Sequence, residues 1–108
     1  MKLYIGGAYQ GQRELAAREN PDAPLFTDFH ETVRQALARQ EDPRDLAQRL
    51  CDRHPDAVVV CDEIGAGIVP MRAQDRAWRE GVGRALCVLA QHAQCVTRVV
   101  CGIGVRIK

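Results

Sequence analysis

One run of residues constrains this chain more than any other: Ala57-Val58-Val59-Val60-Cys61 is continuously apolar and mostly β-branched. A half-buried strand alternates apolar and polar side chains, so an unbroken run predicts a strand covered on both faces, as central parallel strands are. Parallel neighbours cannot be joined by a tight turn; they need crossovers, usually helices that lie on the sheet. The rest of the chain supplies both kinds of element. Lys2-Leu3-Tyr4-Ile5 reads as a short strand stopped by Gly6-Gly7, Cys95 to Cys101 as another, and Val105-Arg106-Ile107 as a last one. Pro24 to Asp28 is a weak further candidate. The alternation of strands with helices predicts an α/β sandwich with a reduced, mostly parallel sheet.

Four helices fit between these strands. Residues 11–19 suit a short one, which Asn20-Pro21 ends. Phe29, Val33, Ala36 and Leu37 form the apolar stripe of a second, over 30–39. Asp42-Pro43-Arg44-Asp45 is a helix start, with Asp42 placed to cap, Pro43 at the first helical position and Asp45 complementing the dipole. Leu46, Ala47 and Leu50 face the core of that third helix, and His54-Pro55 ends it. The longest helix spans about 72–92, with Ala73, Ala77, Trp78, Val82, Ala85, Leu86, Leu89 and Ala93 on one stripe. Gly81 and Gly83 weaken it by about 1 kcal/mol each relative to alanine, so both are expected to pack closely against a neighbour.

At 108 residues the chain reads as a single domain. Lys+Arg 15 against Asp+Glu 14 leaves a net charge of +1, which supplies no global field for nucleic acid or an anionic membrane. No apolar run approaches the roughly 18 residues of a membrane span, and a cytoplasmic location is expected. Cys51, Cys61, Cys87, Cys95 and Cys101 are odd in number and contain no C-x-x-C pair, which argues against a disulfide framework and a zinc ribbon. All five are expected to be structural thiols, with Cys61 and Cys101 buried at the ends of apolar runs. No His/Cys/Asp spacing suggests a metal cage.

In parallel α/β sheets ligands sit beyond the carboxyl ends of the strands. Two glycine-rich loops occupy that edge, Gly6–Gln12 and Asp62–Pro70. Gly6-Gly7-Ala8-Tyr9-Gln10-Gly11-Gln12-Arg13 follows a strand and opens a helix, as a phosphate-binding loop does. Gly6 and Gly11 match the two glycines of G-x-x-x-x-G-K-[ST], whereas Gln12 stands in place of the lysine and Arg13 in place of the hydroxyl. Backbone N–H groups can still cradle an anion there, because that needs only the turn and the dipole. Gln12 cannot offset phosphate charge, and Arg13 cannot ligate Mg²⁺ and disfavours it nearby. Asp62 and Glu63 end the buried strand, where they can orient a nucleotide or bond loop amides, and Gly65 and Gly67 allow backbone angles closed to other residues. Arg72, Arg76 and Arg79 recur at helical spacing and suit either a phosphate or corrinoid site or a solvated face.

Val58-Val59-Val60-Cys61-Asp62-Glu63-Ile64-Gly65-Ala66-Gly67-Ile68-Val69-Pro70 resembles the V-V-V-S-N-E-V-G-x-G-I-V-P segment of the adenosylcobinamide kinase / adenosylcobinamide-phosphate guanylyltransferase family. The likeness continues through Asp75-Arg76-Ala77-Trp78-Arg79-Glu80 and Gly83-Arg84. It ends in Val99-Val100-Cys101-Gly102-Ile103-Gly104-Val105-Arg106-Ile107-Lys108, similar to the closing V-x-G-[IL]-P-L-x-[IL]-K. Ile5-Gly6-Gly7-Ala8 looks like the start of the family's T-G-G-A-R-S-G-K-S loop. The resemblance implies a P-loop-NTPase-like three-layer sandwich and work in the nucleotide-loop assembly of cobalamin. It also implies ATP or GTP, or another phosphorylated small molecule, at residues 6–13, a corrinoid as second ligand, and Glu63 as a site residue. The chain departs from the family in being short, in lacking the loop lysine and hydroxyl, and in lacking the histidine that carries the guanylyl group. Arg34 is followed by Leu37 and Ala38 where that histidine is due, and His30 lies upstream of that spacing. Three readings stay open: a transferase, a binding or regulatory protein holding a nucleotide or other anion, and an assembly module that forms a homo-oligomer.

Overall fold

The computed structural model describes residues 1–64 and 72–108. In chain order the elements are β1 (Lys2–Gly6), α1 (Gln12–Glu19), β2 (Leu25–Phe26), α2 (Phe29–Ala38), α3 (Pro43–Arg53), β3 (Val58–Asp62), α4 (Ala73–His92), β4 (Cys95–Val100) and β5 (Ile103–Arg106). The strands form one sheet in the order β2-β3-β1-β4-β5. β2, β3, β1 and β4 run parallel, and β5 returns antiparallel to β4. The chain is thus an α/β protein with a mostly parallel sheet, consistent with a P-loop-like sandwich.

Alternation along the strands sorts the core into two layers. On one face Leu3, Val59, Cys61 and Val96 pack with Phe29 and Val33 of α2, Ala47 and Cys51 of α3, and Val82, Ala85 and Leu89 of α4. On the other face Tyr4, Val58, Val60 and Val99 pack with Leu15 and Ala16 of α1. Because β3 is covered on both sides, its continuous apolar run is satisfied. Burial pushes the Cys61 thiol up to about 12, and the neighbouring Asp62 carboxylate adds to the shift.

The helix ends follow local chemistry. Asp42 accepts from the Arg44 backbone N–H at 2.9 Å, with Pro43 at the first helical position, so the expected cap forms. Its carboxyl is held below the usual range by the Arg44 side chain and backbone N–H. Gly81 lies where α4 crosses α2 and α3, and a Cβ there would stand 3.0 Å from Pro43 Cγ and 3.3 Å from Leu37 Cδ1.

Several expectations are corrected. A Cβ on Gly83 would meet nothing within 4 Å, so only Gly81 is a packing glycine. Ala73 and Ala77 are exposed because the first turns of α4 extend past the sheet layer, and burial along the stripe begins in earnest at Val82. All five cysteines are free thiols, but Cys87 and Cys101 are exposed. Cys101 leaves β4 for the β4–β5 turn, with φ 52°, and so escapes the core that its apolar neighbours enter. Among the described residues no helix is long and apolar enough to cross a membrane.

Candidate anion-binding loop and its supports

β1 and β3 end side by side, with Gly6 opposite Asp62, so the chain leaves both strands at the carboxyl edge of the sheet. The Glu63 N–H donates to Gly6 O at 2.8 Å and ties the residue after β3 to the end of β1. A Cβ on Gly6 would stand 2.6 Å from Val99 O on the other flank, which leaves room there for glycine alone. The chain then turns through Gly7, Ala8, Tyr9 and Gln10 to Gly11, whose φ of 90° precedes α1. Tyr9 has φ 63° and is fully exposed.

The β4–β5 turn straps this loop in place. Gly102 N–H donates to Gln10 O at 2.7 Å, and Cys101 N–H donates to Gln10 Oε1 at 2.8 Å. Gln10 is therefore committed to holding the loop. Ala8 and Tyr9 form a hydrogen-bonded turn; beyond it, among the described residues, no acceptor takes the backbone N–H groups of residues 11–14, and no side chain caps α1. Unsatisfied donors at a helix start carry the positive end of the dipole.

Gln12 decides the chemistry beneath the loop. It is 4% exposed, and its Nε2 donates to Gly6 O (3.2 Å), Gly7 O (3.0 Å) and Asp62 Oδ1 (2.7 Å). An amide has two protons for those three acceptors, and Gln12 Oε1 is buried with no partner. The flipped amide would set Oε1 against three oxygens, so the network fixes the orientation. Three convergent acceptors around one nitrogen match an ammonium better than an amide.

Asp62 is clamped from its other side by His30. The Asp62 N–H donates to His30 Nδ1 at 3.1 Å, so a neutral His30 carries its proton on Nε2, which lies 3.6 Å from Asp62 Oδ2. His30 is itself buried, and its carbonyl accepts from Trp78 Nε1 at 2.7 Å. Arg34 stacks on the Trp78 ring, 3.8 Å from its centroid. Glu63 faces outward and meets Arg98 at 3.5 Å. A cavity of about 310 Å³ opens beside the loop, lined by Tyr9, Gln12, Arg13, Glu14, Thr27, Asp28 and Asp62 among others. Among the described residues lining it, one cation faces three carboxylates, which leaves the backbone amides as the groups that could attract an anion there.

The structure thus brings Gly6, Gly7, Ala8, Tyr9, Gln10, Gly11, Gln12 and Arg13 together with Asp62 and Glu63 at one sheet edge. Gly65 and Gly67 lie outside the described residues. Mg²⁺, which phosphate loops of this kind employ, does not fit the residues present. Gln12 engages one Asp62 oxygen, His30 faces the other, and Arg13 replaces the hydroxyl ligand. Among the described residues no group of three or more His, Cys, Asp or Glu could hold a metal ion. His30 and the strap from the β4–β5 turn were not legible from spacing. The available signal for His30 was its helical register with Val33 and Leu37, which puts a polar residue on the buried stripe.

The chain is 48% identical over 69 residues to the bifunctional adenosylcobalamin biosynthesis protein CobU of Salmonella typhimurium strain LT2, covering 63% of this chain and 38% of that protein. It is 48% identical over 59 residues to the protein of the same name from Escherichia coli strain K12, covering 54% of this chain and 33% of the other. The matched part thus spans between a third and two-fifths of the length of these curated relatives. The model of the cobinamide kinase / cobinamide phosphate guanyltransferase family matches residues 15–107. A match over that length shows that the chain belongs to this family.

Proposed function

We propose that the protein binds a nucleoside phosphate, ATP or GTP, or a related phosphorylated small molecule at residues 6–13, and that it does so without Mg²⁺. The observation that carries this reading is the set of backbone N–H groups of residues 11–14 that have no described acceptor at the start of α1. Gly6, Gly7 and Gly11 shape the cup, Gln10 fixes it, and Gln12 supports it from below. Asp62 forms its second wall, and Glu63, Gly65 and Gly67 follow it in the sequence. The role is that of a binding or regulatory member of cobalamin biosynthesis, cytoplasmic and homo-oligomeric, with a corrinoid as the second ligand. Phosphoryl transfer depends on positioned cations at the transferring group, and Gln12 supplies none.

Isothermal calorimetry with ATP, GTP and inorganic pyrophosphate, each with and without Mg²⁺, tests this. Binding indifferent to the metal supports the reading, whereas binding that requires it, or no binding, overturns it. The Gln12→Lys, Arg13→Ser double variant is expected to gain metal-dependent nucleotide affinity. A second reading is favoured by the family match itself: transfer of a phosphoryl or guanylyl group to a cobinamide. Turnover with either nucleotide and a corrinoid acceptor would establish it in place of the first.

A further inference from the structure

α1 covers only part of its face of the sheet. Tyr4, Val58, Val60 and Val99 pack beneath it, while the opening residues of β1 and β4 lie beside its carboxyl end. Register and alternation put Lys2, Tyr4, Cys95, Thr97 and Arg106 together on that face. With Glu19 they line a cavity of about 350 Å³, within the roughly 300–1,000 Å³ of small-molecule sites. Lys2 Nζ donates to Asn20 Oδ1 at 3.0 Å, and Arg106 Nε to the Lys108 backbone oxygen at 2.7 Å. Among the described residues neither cation pairs with a side-chain carboxylate. Glu19, the one carboxylate among the described residues lining the cavity, accepts from the Tyr4 hydroxyl at 2.7 Å. Thr97 is 8% exposed. Its methyl lies over Gly104, where a Cβ would stand 2.9 Å from Thr97 Cγ2, and its hydroxyl lies 3.9 Å from Cys95 Sγ. Among the described residues that hydroxyl has no oxygen or nitrogen partner, and buried polar groups ordinarily have one.

We propose that Cys95 is a modification site, which takes a low-molecular-weight disulfide bearing carboxylates, of the class of oxidised glutathione, into this cavity. Lys2, opposite Cys95 on β1, and Arg106, opposite Thr97 on β5, flank the thiol and hold the carboxylates. The Thr97 hydroxyl gains the polar partner it lacks. The Cys95 thiol gives its proton to solvent, and its sulfur attacks one sulfur of the disulfide. The new S–S bond forms as the reagent's own breaks, and the other half departs as a thiolate that solvent protonates. Cys95 is oxidised and the reagent reduced, so no further oxidant enters, and a free thiol of the same class reverses the exchange. Cys51 and Cys61 do not compete, because both are buried and burial pushes their thiols up. Cys87 and Cys101 are exposed, so what singles out Cys95 is the charge that gathers an anionic reagent beside it. This inference stands apart from the anion-binding reading, since Lys2 and Cys95 open their strands and residues 6–13 lie at the other end of β1.

Adduct formation on the intact chain, followed by peptide mass spectrometry, tests the proposal with oxidised glutathione against cystamine, a cationic disulfide with the same reacting atoms. Far-UV circular dichroism verifies the fold. With oxidised glutathione the Cys95 adduct is expected to form roughly tenfold faster than those at Cys87 and Cys101, the low end of what focused charge contributes to encounter. With cystamine that preference is expected to reverse. Lys2→Gln combined with Arg106→Gln is expected to slow the glutathione reaction at Cys95 about tenfold and to leave Cys87 and Cys101 unchanged. Modification by oxidised glutathione first at Cys87 or Cys101 would overturn the proposal. Equal selectivity towards the two reagents, or a folded double variant as selective as the wild type, would overturn it as well. Should the variant fail to fold, the comparison of the two reagents on the wild type decides alone.

Discussion

Replacing Gln12 with lysine puts a charged group at a position that is 4% exposed, a change that ordinarily destabilises a fold. Here the opposite is expected. Gln12 Nε2 sits among Gly6 O, Gly7 O and Asp62 Oδ1, and an amide has one proton too few for them. Its Oε1 has no partner, and an unsatisfied buried carbonyl costs roughly 1–3 kcal/mol. An ammonium brings three protons, removes the orphan oxygen, and adds charge to the contact with Asp62. The desolvation cost of the pair is limited, because the Asp62 side chain is 30% exposed. The balance favours Gln12→Lys by about 1–2 kcal/mol, the span between a strengthened hydrogen bond and the ordering of a longer side chain. For a domain of this size that is a rise of roughly 4–15 °C in melting temperature. Urea unfolding followed by Trp78 fluorescence measures it. Gln12→Glu is the opposite control, because its carboxylate would confront three oxygens. Adding Asp62→Asn to the lysine variant should remove much of the gain, as a double-mutant cycle would register. A lysine variant more than 1 kcal/mol less stable than wild type would refute the reasoning that this nest of acceptors is shaped for a cation.

Other consequences are as direct. The folded-state pKa of Cys61 is raised from 9.0 to about 12 by burial first and Asp62 second, so its contribution is complete below pH 9 and is lost as pH climbs towards 12. Three units correspond to at most about 4 kcal/mol, and Cys61→Ala should flatten the alkaline limb of a stability–pH curve, with Tyr4 supplying part of the remaining slope above pH 10. Gly83→Ala should stabilise α4 by about 1 kcal/mol, while Gly81→Ala gains nothing or loses stability against Pro43 and Leu37; thermal melts of both separate the two cases. His30→Ala should cost roughly 2–4 kcal/mol in urea unfolding, because the Asp62 N–H loses its acceptor and a cavity opens beside Trp78. A neutral outcome would mean that His30 does not support the site.

Local signals carried far in this chain. The β-branched run ending in Cys61 placed the central strand, Asp42-Pro43 placed a helix start, and the glycines after Ile5 placed the loop, because each depends on neighbours in sequence. Leu25–Phe26 was barely readable, since its two residues become a strand only by pairing with Val58 and Val59. Periodicity extends the apolar stripe of α4 past its buried part, because it shows which side of a helix is apolar and not how far the neighbouring layer reaches. Cys101 misled for a related reason: hydropathy cannot reveal that the strand has already turned.

What the sequence determined by itself is the class of fold, the strand end at which the glycine loop stands, and the missing lysine and hydroxyl. These follow from periodicity, turn chemistry and residue identity, which are properties of short stretches. Only the tertiary structure decided that Gln12 props the loop from below, that His30 locks Asp62 across 32 residues, and that the β4–β5 turn grips Gln10 across 91. Those contacts join groups distant along the chain, and their partners are chosen by the packing of layers, which no local pattern encodes.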